Sequence, residues 1–308
     1  MKIRVTHETR YDYASPVEMA QHVAYLRPLD TPWQAVHEHR LTITPAQDSE
    51  ADATSLDVYG NHRAFFSLHA PHDELSVVAQ TVLSTKALND ALPNDKALSE
   101  ITWEALRDQF RYHAGAPWSA ATEFSFPSPR VPRHEAFAAY ARPSFAPGVS
   151  ALQAARDLMH RIHADFKYET NSTEVHTPAL KALEMRHGVC QDFAHIMLAC
   201  LRSMGLAARY VSGYLLTTPP PGQKRLVGSD ASHAWASVWL PDLDKGKGGW
   251  HDLDPTNDRD GQSTPGEDYI TLATGRDYSD VTPLRGVIHG GGQHSLKVAV
   301  TVMPQEEA

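Results

Sequence analysis

One stretch, "CQDFAHIMLACLRSMG" at residues 190–205, limits the possible folds more than any other. It reads as a helix closed by Gly205 as a C-terminal cap. Its apolar residues (Phe193, Ile196, Met197, Ala199, Cys200, Leu201 and Met204) occupy nearly every side. A helix that is apolar all round is covered on all sides, so this one belongs at the centre of a domain. The chain has 308 residues, 42% of them hydrophobic, enough for a sizeable core. That length exceeds one comfortable core, and two domains are expected.

Residues 1–90 read as strands: "KIRVTHETRYDY", "HVAYLRPL", "HRLTITPA", "SLDVYGNHRAFFSLHA" and "ELSVVAQTVLST". They are rich in Val, Thr, Tyr and Phe with partial alternation, and "YGNH" suits a hairpin turn. The expectation is an N-terminal antiparallel β-sandwich with a packing or recognition role. From residue 91 to 308 the pattern is α+β. "ITWEALRDQFRYH" is helical in period, and a second helix opens near Ser150. "TPALKALEMRHG" forms a third, with Thr177 as cap, Pro178 in the first turn and Gly188 at its end. After Gly205 the period switches to two. "LAARYVSGYLL", "HAWASVWLP", "GGWHDLDP" and "SLKVAVTVMP" are expected as strands of one antiparallel sheet on the central helix. "TTPPPGQKRLVGSD" and "DLDKGKGG" read as loops.

Cys190 is one of two cysteines and opens the central helix. Unpaired N–H groups and the helix dipole favour negative charge there, which stabilises a thiolate and can receive a developing oxyanion. Cys190 and Cys200 lie roughly 15 Å apart along one helix, whereas a disulfide needs Cα atoms within about 7 Å. The thiol therefore stays free for chemistry. A thiolate nucleophile also needs a base and a group to orient it. His233 opens a strand and Asp254 ends the next, so a hairpin with its turn near residues 243 and 244 sets them opposite each other. Asp252 shares the face of Asp254, and period alone does not exclude it. Asp254 is preferred because the strand stops at Pro255, level with the start of the His233 strand. Asp192, in the first turn, suits the helix dipole. His187 and His195 flank Cys190 but match no metal-ligand spacing, and no CxxC or HExxH is present, so no metal is expected.

The net charge of -9, with no basic block, argues against a nucleic-acid partner. No apolar run has signal-peptide or membrane-spanning length, so a cytoplasmic protein without membrane partners is expected. No nucleotide-binding glycine pattern appears, and no cofactor is implied.

"GVCQDFAHIMLACLRSMGLAARYVSGYL", "SHAWASVWLP" and "GWHDLDPTND" together resemble the core of the bacterial transglutaminase-like superfamily, which has a papain-like fold. In that family the Cys opens the central helix, the His begins a strand in His-Ala-Trp, and the Asp lies in Trp-x-x-x-Asp-Pro-Thr. The resemblance thus implies a Cys190, His233 and Asp254 triad, and the spacing from Trp250 selects Asp254 over Asp252. The first ninety residues resemble the β-sandwich region preceding the core in many bacterial members, and "TGRDYSDVTPLRGVIHGGG" resembles the family's C-terminal segment.

The shared chemistry is a thioester at the Cys. With water it gives peptidase or amidase hydrolysis of a peptide, protein or other amide; with an amine as second substrate it gives acyl transfer. A binding module that kept the fold without activity is the third alternative. The Cys190 backbone N–H is the expected oxyanion donor, with Gln191 as the adjacent candidate. Trp235 and Trp250, with Trp239, are the candidate pocket wall.

Overall fold

The computed structural model describes residues 1–46, 53–86, 100–115, 119–170, 172–217, 231–241, 243 and 248–305. The boundary expected at residue 90, all but the first residue of the loop expected at 217–230 and most of the loop expected at 242–249 lie outside these residues.

β1 (Lys2–Ala24) is 23 residues long and begins with strict alternation, burying Ile3, Val5, His7 and Thr9. It is followed by β2 (Gln34–Thr44), β3 (Ala53–Leu56), β4 (His62–Leu68) and β5 (His72–Thr85), in the antiparallel order β2-β5-β1-β4-β3. "HVAYLRPL" is thus not a separate strand; its first residues continue β1. A register shift between Asp12 and Val17 divides β1, whose first part pairs with β5 and whose second part pairs with β4. Irregularities of this kind bend a strand and raise its twist. Val17, Ala20, Phe66 and Leu68 from beyond the bend share one core cluster with Leu75, Val77 and Ala79 of β5. The expected antiparallel N-terminal sheet is thus present as one seven-stranded sheet whose two parts share an apolar cluster. β3 and β4 meet as a hairpin in which Asp57 Oδ1 accepts the N–H groups of Tyr59 and Asn61, forming the turn expected at "YGNH".

The helices follow. α1 (Trp103–Gln109) is capped by Thr102, and α2 (Glu135–Ala141) precedes α3 (Ala151–Asp165), which opens on a Ser150 cap. α4 (Ala179–Met185) lies between two short parallel strands, β6 (Lys167–Tyr168) and β7 (His187–Gly188). Thr177 does not cap α4: Pro178 occupies the N-cap position, while the Thr177 hydroxyl accepts from the Glu174 N–H. Arg186, not Gly188, takes the left-handed conformation after it, with φ 57°.

α5 (Cys190–Ser203) runs through the middle, with every residue from Asp192 to Arg202 buried. Its cover comes from α2, α3 and α4 and from a five-stranded sheet of order β11-β10-β9-β8-β12. These strands are β8 (Ala208–Leu215), β9 (Ser232–Leu240), β10 (Gly249–Asp254), β11 (Arg259–Gln262) and β12 (Tyr269–Gly275). α6 (Tyr278–Val281) then leads back to the N-terminal sheet.

The last strand also departs from expectation. "SLKVAVTVMP" lies in β14 (His294–Pro304), which pairs with the first part of β1 and not with the core sheet; β13 (Leu284–Gly290) pairs with the second part. Alternation identifies a half-buried strand but carries no information about its neighbour. Val300 and Val302, buried opposite His7 and Val5, join Ile3, Val5 and Leu83 in the large core cluster that also holds α5. The N-terminal sheet is therefore assembled from both ends of the chain, and a division into 1–90 and 91–308 does not describe it. No helix among the described residues is long and apolar enough to cross a membrane.

Candidate active site

The site is built where the N-terminus of α5 meets the end of the five-stranded sheet. Val189 is the N-cap of α5, and Asp192 closes the first turn by accepting the Val189 N–H at 2.9 Å. The same Asp192 oxygen accepts the Thr173 hydroxyl at 2.6 Å. Gly188 permits this closure, because a Cβ there would come within 2.6 Å of that oxygen. Cys190 is thus the first residue of a helix whose entry is tightly held, and it is itself only half-buried. Gln191 donates its side-chain amide to the Val175 carbonyl at 3.1 Å, which ties the 172–178 segment to the helix start.

His233, second residue of β9, donates from Nε2 to Asp254 Oδ2 at 2.7 Å, leaving Nδ1 for the Cys190 thiol. The contact is sheltered, with His233 8% exposed and Asp254 fully buried, so water screens it little. Asp254 is densely held. Its Oδ2 also accepts the Tyr269 hydroxyl at 2.7 Å and the Asn257 amide at 2.8 Å, and its Oδ1 accepts the Thr256 N–H at 2.9 Å. Burial alone would lower the His233 pKa. The Asp254 charge, the hydrogen bond to it and the interaction with Cys190 outweigh that and push it up to about 10. Burial likewise works to raise Asp254, but the His233 charge and the three side-chain donors hold it below the usual carboxylate range.

The hairpin register differs from the expected one. Leu253 pairs with Ala236, so Asp254 lies beside Trp235 and reaches His233 as a diagonal neighbour. The offset is two residues, which preserves the face and leaves the contact within reach. From outside, α3 grips the turn after Asp254: His160 bonds to Asp258, His163 Nδ1 to the Thr256 carbonyl at 3.0 Å, and Arg156 to Asp260 at 2.7 Å.

The fold therefore brings Cys190, His233 and Asp254 together from three separate segments. Other expected residues lie elsewhere. Trp235 is fully buried behind His233 and donates its indole N–H to Asp252 at 2.8 Å, so it lines no accessible wall. Trp250 shares the strand face of Asp254 but sits about 13 Å along it, packed against Phe124, Trp239 and the Arg209 guanidinium. Trp235 thus fails as a pocket wall because it is buried, and Trp250 because a common face does not mean a common height. His195 is buried one helical turn deeper; burial lowers its pKa to about 3, and Nε2 accepts the Tyr278 N–H. His187 Nδ1 bonds to the Met185 carbonyl. Cys200 is buried, and burial pushes its thiol pKa up. Asn257 and Tyr269 join the site beyond the expected residues. Asn257 stands in "DPTND", where an amide three residues after the Asp is a readable turn signal; Tyr269 lies in β12, which sequence periodicity did not reveal.

Residues 3–84 match the family model of the bacterial transglutaminase-like N-terminal region, and residues 138–255 match that of the transglutaminase-like superfamily. The second span contains Cys190, His233 and Asp254 and ends before Asn257. A Mycobacterium tuberculosis protein with no assigned function is 42% identical over 307 residues, covering 99% of this chain and 93% of that protein. A Pseudomonas aeruginosa protein-glutamine gamma-glutamyltransferase is 36% identical over 74 residues, 24% of this chain and 10% of that enzyme. Among solved structures, a candidate cysteine protease from Cytophaga hutchinsonii has the same fold, with TM-score 0.70 at 20% identity, covering 100% of this chain and 92% of that one. Two family models in the expected order and a relative matched end to end agree with the fold: the chain belongs to the transglutaminase-like superfamily.

Proposed function

We propose that the protein is a cysteine-dependent amide hydrolase, a peptidase or amidase, acting through Cys190, His233 and Asp254. The observation that carries this reading is the buried His233–Asp254 pair, 2.7 Å apart, with its imidazole set against the first residue of α5. The raised His233 pKa favours an imidazolium beside Cys190, the partner that a thiolate requires. The thiolate attacks the carbonyl carbon of an amide, and the oxygen takes the negative charge near the Cys190 N–H. His233 Nδ1 gives its proton to the leaving nitrogen, the C–N bond breaks, and a thioester remains on Cys190. His233 then takes a proton from water, whose hydroxide attacks the thioester; an acid is released and the thiolate–imidazolium pair is restored. Asp254 keeps the ring oriented and offsets its charge throughout.

Acyl transfer to an amine is the second reading, favoured by the 74-residue likeness to a protein-glutamine gamma-glutamyltransferase. A peptide-library screen with and without an added primary amine separates the two. Hydrolysis predicts cleavage unaffected by amine, whereas transfer predicts incorporation of the amine at the expense of the free acid. Cys190→Ala is expected to abolish either activity and Cys200→Ala to retain it; equal activity in the two variants refutes both readings.

A further inference from the structure

Asp252 and Asp254 alternate with Leu253 on β10 and project from one face of the sheet. Both are buried, and each reaches the residue diagonal to it on β9: Asp254 holds His233, and Asp252 holds the Trp235 indole. That indole lies along the His233 ring, with centroids 6.0 Å and planes 29° apart. It also meets Tyr269 edge-on, at 5.3 Å and 87°. Tyr269 is the hydroxyl donor to Asp254, so one ring touches both the base and a residue that holds its carboxylate.

The indole has little freedom. Gly213 pairs with His233 from β8, and a Cβ there would come within 2.6 Å of Trp235 Cη2 and 2.1 Å of the Ile270 carbonyl oxygen. An indole has a single N–H donor, and here it goes to Asp252. Behind Asp252, Arg209 pairs with Ser237 across β8 and β9 while Asp252 pairs with Ser237 across β9 and β10. Burial raises the Asp252 pKa and the Arg209 charge opposes that rise. A buried carboxyl group beneath a tryptophan is a costly way to fill a core and calls for a role other than packing.

We propose that Asp252 is a positioning residue for the triad: through the Trp235 indole it fixes the plane of the His233 ring and so the approach of that ring to Cys190. The proposal rests on the reading of Cys190, His233 and Asp254 as catalytic. Asp252 itself touches neither the thiol nor the imidazole nitrogens; it acts through the bond to the indole.

The test follows the rate of Cys190 alkylation by iodoacetamide across about pH 5 to 9, alongside thermal unfolding. Wild type is expected to outpace a free cysteine at about pH 6, and His233→Ala to lose that excess. Absence of any excess in wild type refutes the triad reading itself. Given the excess, Asp252→Ala should slow alkylation at least about tenfold at that pH, and Trp235→Phe, a ring without the N–H, should match it. Asp252→Asn keeps an oxygen for the indole and should recover most of the rate. In the double variant Asp252→Ala/Trp235→Phe the losses should not multiply, because both changes remove one bond. Wild-type alkylation in folded Trp235→Phe, no recovery in Asp252→Asn, or multiplying losses would overturn the proposal. Should Asp252→Ala fail to fold, Trp235→Phe and Asp252→Asn decide it.

Discussion

Asp254 accepts from His233, Tyr269, Asn257 and the Thr256 N–H, which together fill the acceptor sites of a buried carboxylate, and this shapes the expected effect of changing each one. Asp254→Asn keeps the shape but loses the charge that favours imidazolium, so turnover should fall by roughly 10³–10⁴-fold. Asn257→Ala and Tyr269→Phe each leave Asp254 with its other donors and should cost about tenfold, measured as kcat with the same peptide. His233 gives a second prediction at this scale. Its pKa is raised above the unfolded value, so its contribution to stability is complete below about pH 6.5 and is lost as pH rises through about 10. The stability gap between wild type and His233→Gln, from urea unfolding, should therefore narrow across that window; a constant gap contradicts the assignment. Cys190, His233 and Asp254 were legible in sequence because each stands at the end of a periodic segment, where residue type is not explained by packing. The hairpin offset did no harm, since a shift of two residues keeps the face. Tyr269 was illegible because the carboxylate it bonds lies in another strand.

Secondary-structure elements were easier to detect than to place. α5 was readable from its apolar circumference, and Gly205 ends it with φ 85°. β12 was not: "YITLATG" is short, buried throughout and without alternation, which is how a strand covered on both faces reads. The failed pocket wall has a similar cause, because periodicity gives the face on which Trp250 lies but not how far it stands from the thiol. Element packing around the indole gives a stability prediction. Gly213→Ala forces a methyl against the Trp235 ring and the Ile270 carbonyl, and should destabilise the fold by about 1–3 kcal/mol. Unfolding by urea at neutral pH reads this directly, and a change near zero would mean that β8 and β12 are not packed as described.

On the scale of the whole molecule, the last strands return to the first. β13 and β14 pair along nearly the full length of β1, and the two sheets are tied together by Gln34 to Thr271, Asn61 to Thr274 and His7 to Tyr214. A chain ending at residue 283 leaves one edge of β1 without its partner, a template for aggregation. Such a chain should be insoluble or lose its cooperative unfolding transition; a soluble, cooperatively folding product contradicts the topology. This closure was hidden from the sequence, since strands far apart in the chain carry no mark of their pairing. The same long-range assembly brings Cys190, His233 and Asp254 together from three segments, and the proposed chemistry depends on that convergence. Its most direct test is intact-protein and peptide mass spectrometry after brief exposure to an activated acyl ester. One acyl group per chain is expected, on Cys190, absent from Cys190→Ala and slowed in His233→Ala. An acyl group on Cys200, or equal acylation of wild type and His233→Ala, would contradict it.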